Sequence, residues 1–132
     1  MQATEVQPDT VMVVEDETAI SDLVAAALED EGYRVLTARD GRDALQMVQR
    51  RPPDAIVLDL RLPNVDGWEV VRWCRAHLAT TATPIIVVSA ARDAVQDADI
   101  EPLVFVEKPF DLDVLLVLVE DAVSPSAINA VA

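Results

Sequence analysis

A chain of 132 residues, 52% hydrophobic but only 4% aromatic, is long enough for one domain that buries roughly two-thirds of its unfolded surface around an aliphatic core, which suits an α/β or helical protein better than a small aromatic-rich β-domain. A net charge of −14, from 24 acids against ten bases, argues against direct contact with a nucleic-acid backbone. The single cysteine, Cys74, excludes an internal disulfide framework, no apolar run approaches the roughly 18 to 20 residues of a membrane span, and MQATEVQPDT lacks the basic and apolar regions of a secretory signal, so the expectation is a cytoplasmic, reduced protein with no membrane and no nucleic-acid partner.

Five short apolar runs alternate with helical patterns, the signature of repeated βα units around a parallel sheet. TVMVVE (Thr10 to Glu15) reads as the first strand, its continuous apolar run fitting burial on both faces. The first helix, TAISDLVAAALEDEG, places Ile20, Leu23, Val24, Ala27 and Leu28 on one stripe and stops at Gly32. YRVLTA (Tyr33 to Ala38) is the second strand. DGRDALQMVQRR is a short second helix with Leu45 and Val48 inward, ended by Pro52 and Pro53. AIVLDL is the third strand, and GWEVVRWCRAHL the third helix, with Val71, Cys74 and Leu78 towards the sheet. PIIVVSA (Pro84 to Ala90) and LVFVE (Leu103 to Glu107) are the fourth and fifth strands, and the last helix starts near Asp111, a good N-cap. The expected layout is a flexible extension over 1–9, one domain over 10–123 and a frayed tail over 124–132.

Parallel strands with right-handed crossovers bring their carboxyl ends to one edge of the sheet, where ligands bind in such folds. There the strands deliver Glu15 and Asp16, Asp59, Ser89, and Lys108, the only lysine among ten bases. Three clustered carboxylates repel one another unless a cation joins them, and an oxygen-only set suits Mg²⁺ better than zinc. With such an ion present, Asp59 can attack phosphorus to give an acyl phosphate, while Ser89 donates a hydrogen bond to the phosphoryl group and Lys108 pairs with another of its oxygens. Each feature alone has a bland explanation: acids favour a helix's first turn, and an Asp after a strand usually caps a turn. Their joint arrival at separate strand ends does not.

VMVVEDE, IVLDLRLPNVDGWEV, PIIVVSA and EKPF resemble the motifs of bacterial two-component response regulator receiver domains, over about residues 10 to 123. The resemblance implies a doubly wound five-stranded parallel sheet in the flavodoxin-like order 2-1-3-4-5, with helices on both faces. It makes Asp59 the phosphoacceptor. Mg²⁺ or Mn²⁺ would be held by Asp16, by Glu15 through water, by Asp59 and by the backbone carbonyl of Arg61. Ser89 and Phe105 become the switch residues and Lys108 the phosphate partner, with a cis bond between Lys108 and Pro109. The implied phosphodonor is a sensor histidine kinase or phosphotransfer protein, and the domain is a signalling protein that promotes its own phosphorylation and dephosphorylation, not an enzyme.

Two stretches depart from the family pattern. Only 18 residues separate Ser89 from Lys108, without the usual Gly-Ala pair, so the fourth helix is expected to be short or irregular. The last helix, DLDVLLVLVEDAV, has scarcely a polar face, and Leu112, Leu115, Leu116 and Val119 are the expected interface. The expected output is therefore partner docking or homodimerisation through the face of the fourth helix, fifth strand and fifth helix. Competing readings are weaker. A haloacid-dehalogenase-like phosphatase needs a second Asp where Arg61 stands, and a flavodoxin-like cofactor carrier needs a hydroxyl- and glycine-rich loop where EDETA stands. A degenerate receiver acting as a phosphorylation-independent interaction module is the remaining alternative. The 132 residues hold no output domain, which fits either a protein partner or a piece of something larger.

Overall fold

A computed structural model describes residues 7–90 and 103–124. Five strands, β1 (Thr10–Val14), β2 (Arg34–Ala38), β3 (Ala55–Asp59), β4 (Ile85–Ser89) and β5 (Leu103–Glu107), pair in parallel in the order β2-β1-β3-β4-β5. This is the flavodoxin-like order. Strands β3 and β4 are buried at every position and β1 at all but its first, as strands covered on both faces must be. The edge strands β2 and β5 are only partly covered.

Among the described residues, four helices flank the sheet: α1 (Thr18–Asp30), α2 (Gly41–Arg50), α3 (Gly67–Ala76) and α4 (Leu112–Val123). Strand pleating sends alternate side chains to two separate cores. Met12, Val14, Ile56, Leu58, Ile85 and Val87 meet α2 and α3, while Val11, Val13, Val57, Ile86 and Val88 meet α1 and α4. Asp40, Asp66 and Asp111 each cap the helix that follows, accepting from the backbone N–H of Asp43, Glu69 and Asp113. Gly32, at φ 99°, takes the left-handed turn after α1.

Three apolar assignments need correction. Leu23 is exposed, because the inward stripe of α1 narrows to Val24 and Leu28 with Ile20 beside them. Leu78 is 94% exposed because α3 ends at Ala76, where the hydroxyls of Thr80 and Thr81 donate to the carbonyls of Cys74 and Arg75 and so replace the next helical turn. In α4, Leu115 and Val119 are completely buried against the sheet and Leu112 and Leu116 pack beside them. Leu115 and Val119 are therefore core and Leu112 and Leu116 are half-buried beside them, so the exposed apolar residues of that helix are instead Val114 and Val117. The short or irregular fourth helix expected between Ser89 and β5 falls on residues 91–102, outside the described ones. Among the described residues, no helix is long and apolar enough to cross a membrane.

Candidate functional site

The register of the three central strands ends their carboxyl edges together. Asp59 pairs with Val88, and Ser89 with Glu107, while Glu15 follows β1 directly with its N–H bound to the carbonyl of Ala38. Glu15 and Asp59 are both buried, whereas Asp16 is exposed at the rim. One carboxylate oxygen from each of the three can be found within 4.8 Å of the others. Lys108 reaches over from the end of β5, its Nζ lying 3.0 Å from Asp59 Oδ2 and 3.4 Å from Glu15 Oε1. An open cleft of about 530 Å³ lies over this cluster, lined by Asp16, Glu17, Asp59, Arg61, Ala90 and Lys108.

Backbone donors hold the carboxylates in place. The N–H of Arg61 donates to Asp59 Oδ1 at 3.0 Å, and that of Glu17 donates to Glu15 Oε2 at 3.1 Å. Burial lifts the Glu15 carboxyl above its ordinary range, and the nearby Asp59 charge adds to this; the Glu17 N–H and the Lys108 ammonium pull the other way and lose. Burial on its own would lower Lys108, but its hydrogen bond and charge contact with Asp59, helped by Glu15, hold its ammonium above the usual lysine value. One shared ammonium thus leaves Glu15 under-compensated. A hard divalent cation with oxygen ligands fits that deficit, and Glu15, Asp16 and Asp59 are the side chains that could hold it.

Of the remaining predicted residues, neither Ser89 nor Phe105 lines this cleft. Ser89 is buried at the end of β4, its hydroxyl donating to the Ala90 carbonyl at 3.0 Å. Phe105 is 42% exposed, its ring tilted beside Trp68 with centroids 6.2 Å apart. The Lys108–Pro109 bond is cis. His77 stacks on Trp73 at the far end of α3, remote from the acids in the fold. One feature the sequence reading missed is a side-chain bridge from Asn64 Nδ2 to Asp40 Oδ2 at 2.8 Å, which ties the loop after β3 to the start of α2. Asn64 stands in the Pro-Asn-Val-Asp-Gly turn and Asp40 at the N-cap of α2, where each alone is ordinary turn or cap chemistry.

Comparison with known proteins agrees with this geometry. Residues 11–120 match the family described as response regulator receiver domain. The probable transcriptional regulatory protein TcrX of Mycobacterium tuberculosis is 36% identical over 118 residues, which are 86% of this chain and 49% of TcrX. A putative response regulator from Chloroflexus aurantiacus superposes with a TM-score of 0.83 at 26% identity, covering 89% of this chain and 99% of that one. The receiver domain of the sensor histidine kinase PA1611 from Pseudomonas aeruginosa, solved with a magnesium ion coordinated in its active-site cleft, superposes at 0.78 with 29% identity over 89% of this chain and 98% of its own. The chain spans about half the length of the curated relatives it matches. With five strands in this order, an acidic cleft at their carboxyl ends and a family match over most of its length, the chain belongs to the response regulator receiver-domain family of phosphorylation-based two-component signalling.

Proposed function

We propose that Asp59 accepts a phosphoryl group from the phosphohistidine of a sensor kinase or phosphotransfer protein. The observation that carries this reading is Asp59 itself, buried, oriented by the Arg61 N–H and the Lys108 ammonium, and yet lining an open cleft. A carboxylate oxygen of Asp59 forms the new O–P bond as the P–N bond of the donor breaks, its electron pair staying on the imidazole nitrogen. Asp16, Asp59 and the Arg61 carbonyl, with Glu15 through water, would hold Mg²⁺ or Mn²⁺, which would supply positive charge to offset the carboxylate and phosphoryl oxygens. Lys108 then pairs with a phosphoryl oxygen, for which a compact ammonium on a flexible stem is suited.

In the same reading, the Ser89 hydroxyl exchanges the Ala90 carbonyl for a phosphoryl oxygen, and Phe105 turns inward from its exposed position. That shifts the population of the β4–β5–α4 flank towards a partner-binding or self-associating state. Reversal is hydrolysis of the acyl phosphate within the same cleft, so the domain regulates its own lifetime in the active state. The functional unit is residues 10–123. A relative named as a DNA-binding transcriptional regulator is matched over 45% of its length. Any DNA contact by a longer form of this protein would fall to other residues, since a domain of charge −14 repels phosphate backbones.

Intact mass after incubation with Mg²⁺ and acetyl phosphate tests the reading. One added phosphoryl group is expected, absent from Asp59→Asn and absent with EDTA. Addition to Asp59→Asn, or none to the native chain, would overturn it.

A further inference from the structure

The loop between β3 and α3 is pinned at three places. At its start, the Arg61 N–H is bound to Asp59 Oδ1. At its end, the Gly67 N–H donates to the Leu60 carbonyl at 2.9 Å, and a Cβ on Gly67 would stand 2.6 Å from Leu60 Cα. At its apex, Asn64 adopts φ 70°, in the left-handed region, and extends its amide to Asp40. Asp40 serves two masters with two oxygens: Oδ1 caps α2 through the Asp43 N–H at 2.7 Å, and Oδ2 accepts from Asn64 at 2.8 Å. The contact is close as well as polar, since a Cβ on Gly41 would collide with the Val65 carbonyl oxygen. Both donors, the Asp43 N–H first, hold the Asp40 carboxyl below its ordinary value, so it is an anion engaged on both sides.

We propose that Asp40 and Asn64 are positioning residues, whose side-chain bridge fixes the apex of this loop and so holds the Arg61 backbone against Asp59. Neither touches the phosphoryl group. Asn at position 64 supplies both tolerance of positive φ and, opposite an aspartate at position 40, the donor that reaches α2. The loop then has no slack: its apex is tied to a helix that is itself capped by the same carboxylate, and its first peptide is the one that meets Asp59. Release of the apex lets that peptide turn, which loosens the Asp59 carboxylate and moves the Arg61 carbonyl. The functional meaning of this device rests on the phosphoacceptor reading of Asp59; the device itself is local geometry.

A pair swap in the full chain tests it. Asn64→Asp keeps a residue that tolerates left-handed backbone but sets two carboxylates face to face. The double variant D40N/N64D restores the bridge with donor and acceptor exchanged, keeps an N-cap at position 40 and leaves net charge unchanged. In metal-free protein, the amide hydrogen of Arg61 is expected to exchange about fivefold faster in Asn64→Asp and to return to the native rate in the double variant, with the amide of Val71 in α3 unmoved throughout. A purely structural role would accelerate Val71 as well. Equal Arg61 exchange in native and Asn64→Asp protein would overturn the proposal, as would acceleration without rescue by the swap.

Mn²⁺ affinity by calorimetry separates this from the phosphoacceptor reading. Asn64→Asp is expected to bind Mn²⁺ several-fold more weakly, against the direction of its added negative charge, and the double variant to bind as the native chain does. Absence of Mn²⁺ binding by native protein whose Arg61 amide still responds to the swap would refute the metal-dependent reading and leave the positioning pair standing. Native binding with no weakening in Asn64→Asp would refute the pair's link to the metal.

Discussion

The carboxyl-end crevice and the β5–α4 flank are built from the same chain by different rules. In the crevice, Glu15, Asp16, Asp59 and Lys108 come from three strand ends far apart in sequence, yet topology alone brings them together. On the flank, neighbouring residues of one helix part company: Leu115 and Val119 are wholly buried, while Val117 two residues away is 55% exposed. Rare residue types at defined strand ends are informative because few arrangements satisfy them. A helix that is apolar all round carries no contrast from which an inward face can be read.

The largest test of that comparison lies within α4. Leu115→Ala should destabilise by about 2–5 kcal/mol in urea titrations, because it opens a cavity between α1, α4 and the sheet. Val117→Ala should change stability by less than about 0.5 kcal/mol. Comparable losses for the two would mean that the helix is covered on both sides and would erase the distinction between core and flank. On the crevice side, Gly41→Ala should cost about 1–3 kcal/mol, since the added methyl meets the backbone of the β3–α3 loop and not a side chain that can swing away.

How legible each region was follows from the same physics. The strand runs and strand-end acids were plain, because continuous apolar runs and alternating βα units leave few folds open, whereas the order of the strands came from the family resemblance. Leu78 misled because periodicity continued past the helix that carried it; termination depends on the Thr80 and Thr81 hydroxyls folding back, which a hydrophobic count does not weigh. Asp40 and Asn64 were invisible as a pair because their bridge joins positions 24 apart through an exposed loop, and each alone is ordinary turn chemistry. Pattern finds faces and ends; it does not find which turn leans on which helix.

A smaller effect should appear in the pH dependence of the metal-free protein. Glu15 is raised by burial, so its folded state favours the proton more than the unfolded chain does. Its contribution is fully present below the unfolded value of roughly 4.3 and is lost as pH rises through the higher folded value. Glu15→Gln removes that term. The melting temperature of native protein relative to Glu15→Gln should therefore fall as pH rises from about 4 through this window, and saturating Mg²⁺ should diminish the fall by compensating the charge. A difference that is flat with pH would show that Lys108 already neutralises the cluster and would weaken the case for a cation.

The smallest expected effect is also the one that says most about the flank. Val114 and Val117 project from α4 into solvent, and Val104 on β5 is 42% exposed. Replacing both helical valines by serine removes apolar surface that water already touches, so unfolding measured at low protein concentration should shift by less than about 0.5 kcal/mol. Serine and valine have nearly equal helix propensity, so the backbone preference adds little to that shift. If the flank is where two copies meet after phosphorylation, the double variant should stay monomeric in sedimentation under phosphorylating conditions that assemble the native chain, while Leu115→Ala protein that remains folded should still assemble. A stability loss in the serine variant that grows with native-protein concentration would place association before phosphorylation, because mass action stabilises only what is already bound.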